Sequence, residues 1–281
     1  MGSIAAKDVA ALRKQTGAGM MDAKKALEES DGDVDAAKLW LRERGLAQAG
    51  KRAGRAAEEG AVDVMVDGGL GALAELTCET DFVAKGSDFA DLLDEIVHAV
   101  AERGDADIEA QPLRDSTAGE VVKEAAGRLG ENIGLGRVVR YTSDDGLIDS
   151  YKHIQNDRGT IGVLVELGGV DPSDGKAREV AHDIALHIAS AAPAYLTRDE
   201  VPESVVAAER DVFENLSRNE GKPERALPKI VDGRMNGWFK ERVLLDQGFV
   251  KEPKRSVGSL LEDLGGDAHI RRFARVKIGE E

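Results

Sequence analysis

The fold of this 281-residue chain turns on one stretch, Ala61-Val62-Asp63-Val64-Met65-Val66-Asp67-Gly68-Gly69-Leu70-Gly71-Ala72-Leu73-Ala74-Glu75-Leu76-Thr77-Cys78. Ala61 to Val66 alternates like a strand, Asp67-Gly68-Gly69 is a hairpin turn, and Ala72 to Cys78 returns as a second strand. A related pattern recurs downstream. Gly146 to Tyr151 and Gly159 to Leu167 read as another hairpin, in which Leu164-Val165-Glu166-Leu167 stands where Leu73-Ala74-Glu75-Leu76 stands in the first. Each hairpin is followed by a helical pattern. In the first, Ser87 is placed to cap a helix reaching about Glu102 with Phe89, Leu92 or Leu93, Ile96 and Val100 on one face; in the second, Ala177, Val180, Ile184, Ile188 and Ala191 share a side. A further helix near Glu120 to Leu129 and a strand over Asn132–Tyr141 complete the first unit. The expected fold class is α+β, with a two-part core of antiparallel sheets spanning residues 57–142 and residues 143–198 with 249–281.

Working outward, residues 1–45 read as three short helices forming a small bundle. Ala5, Val9 and Leu12 share a face, then Met20, Ala23 and Leu27, then Val34, Ala37 and Leu41, with Asp31-Gly32-Asp33 as a turn and Gly45 placed to end the last helix. Residues 46–56, rich in Ala, Gly, Lys and Arg, read as a linker. Residues 199–248 read as an inserted αα-hairpin: a helix over Glu203–Asn219, a turn at Gly221-Lys222-Pro223, and a helix over Glu224–Asp246 bent near its start by Pro228. Its seam is Leu227, Ile230 or Val231, Met235 and Trp238. Residues 249–281 are expected to supply one or two returning strands around a short helix, Ser259 to Leu264, and to complete the second sheet.

Composition narrows the function. Hydrophobic residues make up 42% and charged residues 32%, as in soluble globular proteins. No apolar run approaches the roughly 18–20 residues that cross a bilayer, and Met1 to Arg13 reads as the start of a helix rather than a secretion signal, so no membrane association is expected. A single cysteine, Cys78, leaves no intramolecular disulfide framework and no cysteine-based zinc site, which suits a cytoplasmic setting. The formal charge of −15 repels phosphate backbones. Basic clusters at residues 51–55 and 271–275 are short and lack interleaved aromatics, so direct nucleic-acid binding is not expected.

Signs of catalysis are few. His182 and His187 are five apart, about 140° around a helix, so they cannot jointly ligate a metal from one face. Gly69-Leu70-Gly71-Ala72-Leu73-Ala74 superficially matches a dinucleotide fingerprint, but strand-like sequence follows the glycines where that motif needs a helix. No triphosphate-cradling loop or nucleophile elbow occurs, so no cofactor and no enzymatic activity are expected.

Two segments stand out instead. In Thr16-Gly17-Ala18-Gly19-Met20-Met21-Asp22-Ala23-Lys24-Lys25, a Met20 facing the bundle core would turn Met21 toward solvent as an adaptable contact; alternatively both methionines fill a loose core. In Glu79-Thr80-Asp81-Phe82-Val83-Ala84-Lys85, Phe82 is either a staple folded beneath the following helix or an outward contact. The equivalent connection in the second unit, Gly168-Gly169-Val170-Asp171-Pro172, has no aromatic, which favours the outward reading.

Over almost its whole length the sequence resembles the elongation factor Ts family. The segment from Thr16 to Leu27 looks like that family's N-terminal signature, with Ala23 where many relatives carry cysteine, and Thr80-Asp81-Phe82-Val83 looks like its central exchange motif. Ser150-Tyr151-Lys152-His153 and Gly233-Arg234-Met235 also resemble family patterns. The resemblance implies a ubiquitin-associated-like N-terminal bundle, a two-part core and an inserted antiparallel coiled-coil hairpin. It implies a partner, the GTPase elongation factor Tu with GDP bound, and release of that GDP. Met20, Met21 and Lys24 would grip the GTPase domain, Thr80, Asp81, Phe82 and Val83 would enter near its magnesium and phosphate site, and His153 would touch a distal domain. A one-to-one complex and a dimer of heterodimers both stay open. The chain departs from some relatives in the insertion-like Gln155-Asn156-Asp157-Arg158, in Pro228, and in ending at Glu281 without a further helical segment.

Overall fold

The computed structural model describes residues 4–280. Three helices come first: α1 (Ala6–Thr16), α2 (Met20–Glu29) and α3 (Val34–Arg52). The Asp33 carboxylate caps α3 by accepting the amides of Asp35 and Ala36, each at 2.9 Å. Val9, Leu12, Ala23, Ala26, Leu27 and Ala37 form the core they share. Met20 does not join it. The buried stripe of α2 begins one turn later at Ala23, which leaves Met20 62% exposed, contrary to the expected inward face. Helix α3 also continues through Gly45, so residues 46–52, read as linker, are helical.

Strands β1 (Glu59–Asp67) and β2 (Leu70–Cys78) pair in unbroken antiparallel register from Glu59↔Cys78 to Asp67↔Leu70, so the turn is Gly68-Gly69. The chain then passes through α4 (Asp81–Ala84), α5 (Ser87–Arg103), a two-residue ribbon of β3 (Pro112–Leu113) and β4 (Ser116–Thr117), and α6 (Ala118–Leu129). Gly86, not Ser87, is the N-cap of α5. Strand β5 (Gly134–Thr142) returns along the free edge of β2, giving the order β1-β2-β5.

The second unit repeats this plan. Strands β6 (Leu147–Gln155) and β7 (Arg158–Gly168) form a hairpin, followed by α7 (Gly175–Ala191). The insertion-like residues are its tip: Asn156 and Asp157 have φ of 51° and 62°, positive values suited to a tight two-residue hairpin turn. The chain then leaves the sheet as α8 (Glu203–Asn219) and α9 (Leu227–Arg242). Val231, Met235 and Trp238 of α9 are buried with Val206 and Phe213 of α8, so Val231 rather than Ile230 faces the seam. Pro228 does not bend a helix. It sits in the first turn of α9, where the absent N–H has no intrahelical partner to lose, after a separate 3-10 turn over Glu224–Ala226. A short ribbon of β8 (Gly248–Phe249) and β9 (Glu252–Ser256) and α10 (Val257–Glu262) lead to β10 (His269–Lys277), which pairs with β7 to give the order β10-β7-β6.

The architecture is thus α+β with antiparallel sheets. Val62, Leu73, Tyr141, Ile148, Leu164 and Val276 pack the sheets face to face. Helices α5 and α6 bury the outer side of the first sheet, α7 and α10 that of the second. The repeated motif carries a repeated carboxylate. Glu75 and Glu166 are both buried on central strands, each opposite a register shift in the third strand. Glu75 accepts the Arg137 amide at 3.0 Å, and Glu166 accepts from Arg271 at 3.1 Å and Arg272 at 2.7 Å. Glu75 thereby satisfies a backbone amide that the bulge in β5 leaves without a ladder partner, whereas Glu166 is buried because two guanidinium groups from the bulged end of β10 neutralise it.

Candidate functional site

Phe82 is 83% exposed, although it is a large hydrophobe in a well-packed unit. The sequence around it explains why. Helix α4 is one turn long; Ala84 is buried and Val83 packs against the core, so Phe82 is left on the outer side. Thr80 caps the turn, its Oγ1 accepting the Val83 amide at 3.4 Å. Asp81 is held by the Lys85 ammonium at 2.5 Å, and this hydrogen bond keeps its carboxyl below the usual carboxylate range.

Beneath the turn lies a brace that sequence reading missed. Glu131 accepts the amides of Glu79 and Thr80 at 3.0 Å each, and the Thr80 hydroxyl at 2.5 Å. Glu79 in turn accepts the Asn132 amide at 2.7 Å, while the Asn132 side chain donates to the Arg55 carbonyl at 2.7 Å. These partners lie some fifty or more residues away in sequence, as Glu79 and Glu131 show, so no local pattern announces them. Cys78 lies just below. Its thiol donates to the Thr80 carbonyl at 3.1 Å, and burial pushes its pKa up to about 12.

Met21 is 75% exposed and, with Met20 and Lys24, lines a groove that also takes in Val9 and Ala10 of α1. Lys24 is exposed and pairs with Glu28 at 3.5 Å. Arg128 is one of the links between bundle and core, beside the packing of α3 on α6: its stem lies against Gly17, between α1 and α2, and its guanidinium pairs with Asp88 at the start of α5 at 3.0 Å. Asp88 lies three residues beyond Lys85, the partner of Asp81.

His153 is exposed near the tip of the second hairpin. Its Nδ1 lies 3.2 Å from the Tyr151 hydroxyl. Arg158, at the same tip, donates to the Gly60 carbonyl at 2.8 Å and pairs with Glu59, which sits opposite Cys78 in the register. A Cβ on Gly159 would lie 2.1 Å from the Val62 carbonyl oxygen, so only glycine lets the tip approach this closely. The hairpin tip is thereby tied to the end of the first sheet from which Phe82 projects.

The other singled-out groups are engaged internally. Arg271 and Arg272 converge on Glu166, and Arg275 pairs with Glu280. His182 bonds Asp149 at 3.0 Å on the surface, whereas His187 is buried against Gln247 at 2.9 Å. Among the described residues, no group of three or more His, Cys, Asp or Glu side chains is placed to hold a metal ion, and no helix is long and apolar enough to cross a membrane.

Phe82 on its braced turn and Met20 and Met21 on α2 are thus large hydrophobes left in solvent, the kind of side chain that protein–protein contacts use. Comparison with known proteins gives the family. Residues 79–280 match the family model described as Elongation factor TS. The chain is 43% identical to elongation factor Ts of Micrococcus luteus, across 99% of this chain and 100% of that protein. It is 46% identical to elongation factor Ts of Acidothermus cellulolyticus and 44% identical to that of Mycobacterium avium, in both cases across 100% of each chain. The chain belongs to the elongation factor Ts family, the guanine-nucleotide exchange factors that promote GDP release from elongation factor Tu in translation elongation.

Proposed function

We propose that Phe82 is the element this exchange factor drives into GDP-bound elongation factor Tu, wedging apart the segments that hold magnesium and phosphate. The observation that supports this most is the 83% exposure of its ring on a braced turn. Asp81 adds negative charge that disfavours phosphate retention once it leaves Lys85, and Thr80 and Val83 hold the turn in shape. Met20, Met21 and Lys24 grip a helix of the GTPase domain from the N-terminal bundle, a ubiquitin-associated-like module. His153 contacts a distal domain. Helices α8 and α9 form a coiled-coil module outside the wedge. No covalent bond forms or breaks, so the protein is not an enzyme in the ordinary sense.

Magnitudes fit this division of labour. Exchange requires only that the factor bind the nucleotide-free GTPase more tightly than the GDP form, because coupling between two ligands is reciprocal. A thousandfold faster release needs about 4 kcal/mol. Burying one phenylalanine side chain supplies about 1.5–3 kcal/mol, so Phe82 carries much of the effect and its neighbours the remainder. Stopped-flow release of fluorescent GDP from elongation factor Tu tests this with Phe82→Ala. Slowed release with complex formation largely retained is expected; unchanged release kinetics would sink the wedge.

A further inference from the structure

We propose that Glu131 is a positioning residue for exchange: it fixes the strand-to-helix turn in the shape that presents Phe82. This rests on the reading of Phe82 as the wedge. The β2–β5 ladder makes its last pair at Thr77↔Gly134. Beyond that point the amides of Glu79 and Thr80 have no strand to bond, and because both residues precede α4 no helical carbonyl accepts them either. Glu131, in the connection between α6 and β5, supplies what is missing. Its Oε2 accepts both amides at 3.0 Å, and its Oε1 accepts a hydrogen bond from the Thr80 hydroxyl at 2.5 Å. With that proton committed, a lone pair of Thr80 Oγ1 points to the Val83 amide and caps α4. All three bonds are charge-assisted, and all three end on the two residues that enter the turn.

The second carboxylate reinforces the first. Glu79 accepts the amide of Asn132, the neighbour of Glu131, so the two chain segments hold each other reciprocally. The core of the first unit is closed by other residues, Phe89, Leu92 and Ile96 among them. Removing Glu131 therefore leaves the fold standing and releases the platform under Phe82. A ring whose orientation wanders reaches the transition state for GDP release less often, so the penalty falls on the maximal rate rather than on docking.

The test uses the full-length protein and its cognate GTPase, measuring GDP release over a range of exchange-factor concentrations for Glu131→Ala, Glu131→Gln and Phe82→Ala. Glu131→Ala is expected to lower the maximal release rate about tenfold, with little change in the half-saturating concentration. Glu131→Gln, whose amide oxygen still accepts the two backbone donors, should recover part of that loss. Hydrogen exchange at the amides of Glu79 and Thr80 should accelerate in Glu131→Ala while the α5 amides stay protected. A normal maximal rate in Glu131→Ala, alongside slow release in Phe82→Ala, overturns the role of Glu131 and leaves the wedge intact. Normal rates in both variants overturn both. A lowered melting temperature with a normal maximal rate per folded molecule makes Glu131 a stabilising residue only and also overturns the proposal.

Discussion

Gly45 of α3 and Gly127 of α6 cross so closely that a Cβ built on Gly127 would stand 2.6 Å from the carbonyl carbon of Gly45. The reverse construction is loose: a Cβ on Gly45 comes no nearer than 3.5 Å to Gly127. Both lie inside helices, where alanine is intrinsically better than glycine by up to about 1 kcal/mol. Gly45→Ala should therefore be neutral or stabilise slightly. Gly127→Ala meets backbone that cannot move aside, and an overpacking cost of about 1–3 kcal/mol exceeds the propensity gain. It should lower stability by about 1–2 kcal/mol and loosen the bundle from the core. Thermal unfolding and limited proteolysis near residues 53–57 measure both effects.

Removal of the bare side chains should separate function from folding. Phe82→Ala and Met21→Ala delete surface that solvent already reaches, so unfolding free energy should move by less than about 0.5 kcal/mol. GDP release should nonetheless slow by roughly 10- to 100-fold in Phe82→Ala, the kinetic equivalent of about 1.5–3 kcal/mol of lost burial. Met21→Ala should instead raise the concentration needed for half-maximal release. Denaturant melts alongside stopped-flow titrations report the two quantities independently.

His187 should make stability pH-dependent. Its Nδ1 accepts the Val250 amide at 3.2 Å, so Nε2 carries the proton and donates to Gln247 at 2.9 Å. Burial holds its pKa below the ordinary 6.5, the Gln247 bond opposing this only in part. The unfolded chain then binds a proton that the folded chain refuses. Stability from this site is complete above about pH 6.5 and falls as pH drops through that value toward the lower folded pKa. Urea midpoints between pH 8 and 5.5 should decline for the wild type. His187→Leu should be less stable at pH 8, because Gln247 and Val250 lose a partner, yet show a flatter decline.

Cys78 should be inert while the protein is folded. The thiolate is the reactive form, and a thiol whose pKa burial has pushed up to about 12 is almost wholly protonated at pH 8. Thiol-reactive dyes should label it only at the rate of global unfolding, with labelling accelerating sharply across the denaturant transition. Rapid labelling of native protein at pH 8 would contradict the burial seen here.

Much of this molecule was legible in its residues because the signals were local. The alternation at residues 61–66, the glycine pair at 68–69 and the echo of residues 73–76 in 164–167 sufficed for two hairpins and their helices. Phe82 stood out because the second unit manages the same connection without an aromatic. What escaped notice depends on contacts between distant segments. Gly45 looks like a helix end, and only the crossing with Gly127 shows why α3 continues past it. Met20 fits a helical face, but bundle geometry begins the buried stripe at Ala23. Asn156-Asp157 reads as an insertion until the strands on either side are seen to pair around it. Glu131 looks like any surface acid.

The bond from Arg158 to the Gly60 carbonyl turns the core into something like a calliper with its jaws locked. The span between Phe82 and His153 crosses two sheets that this bond, the Arg158–Glu59 pair and the close approach of Gly159 to Val62 join. If Phe82 and His153 both engage the GTPase, as proposed, the partner has to fit a span set by those contacts. On that reading the deformation that expels GDP falls on the partner, with this protein as the template against which the strain is worked.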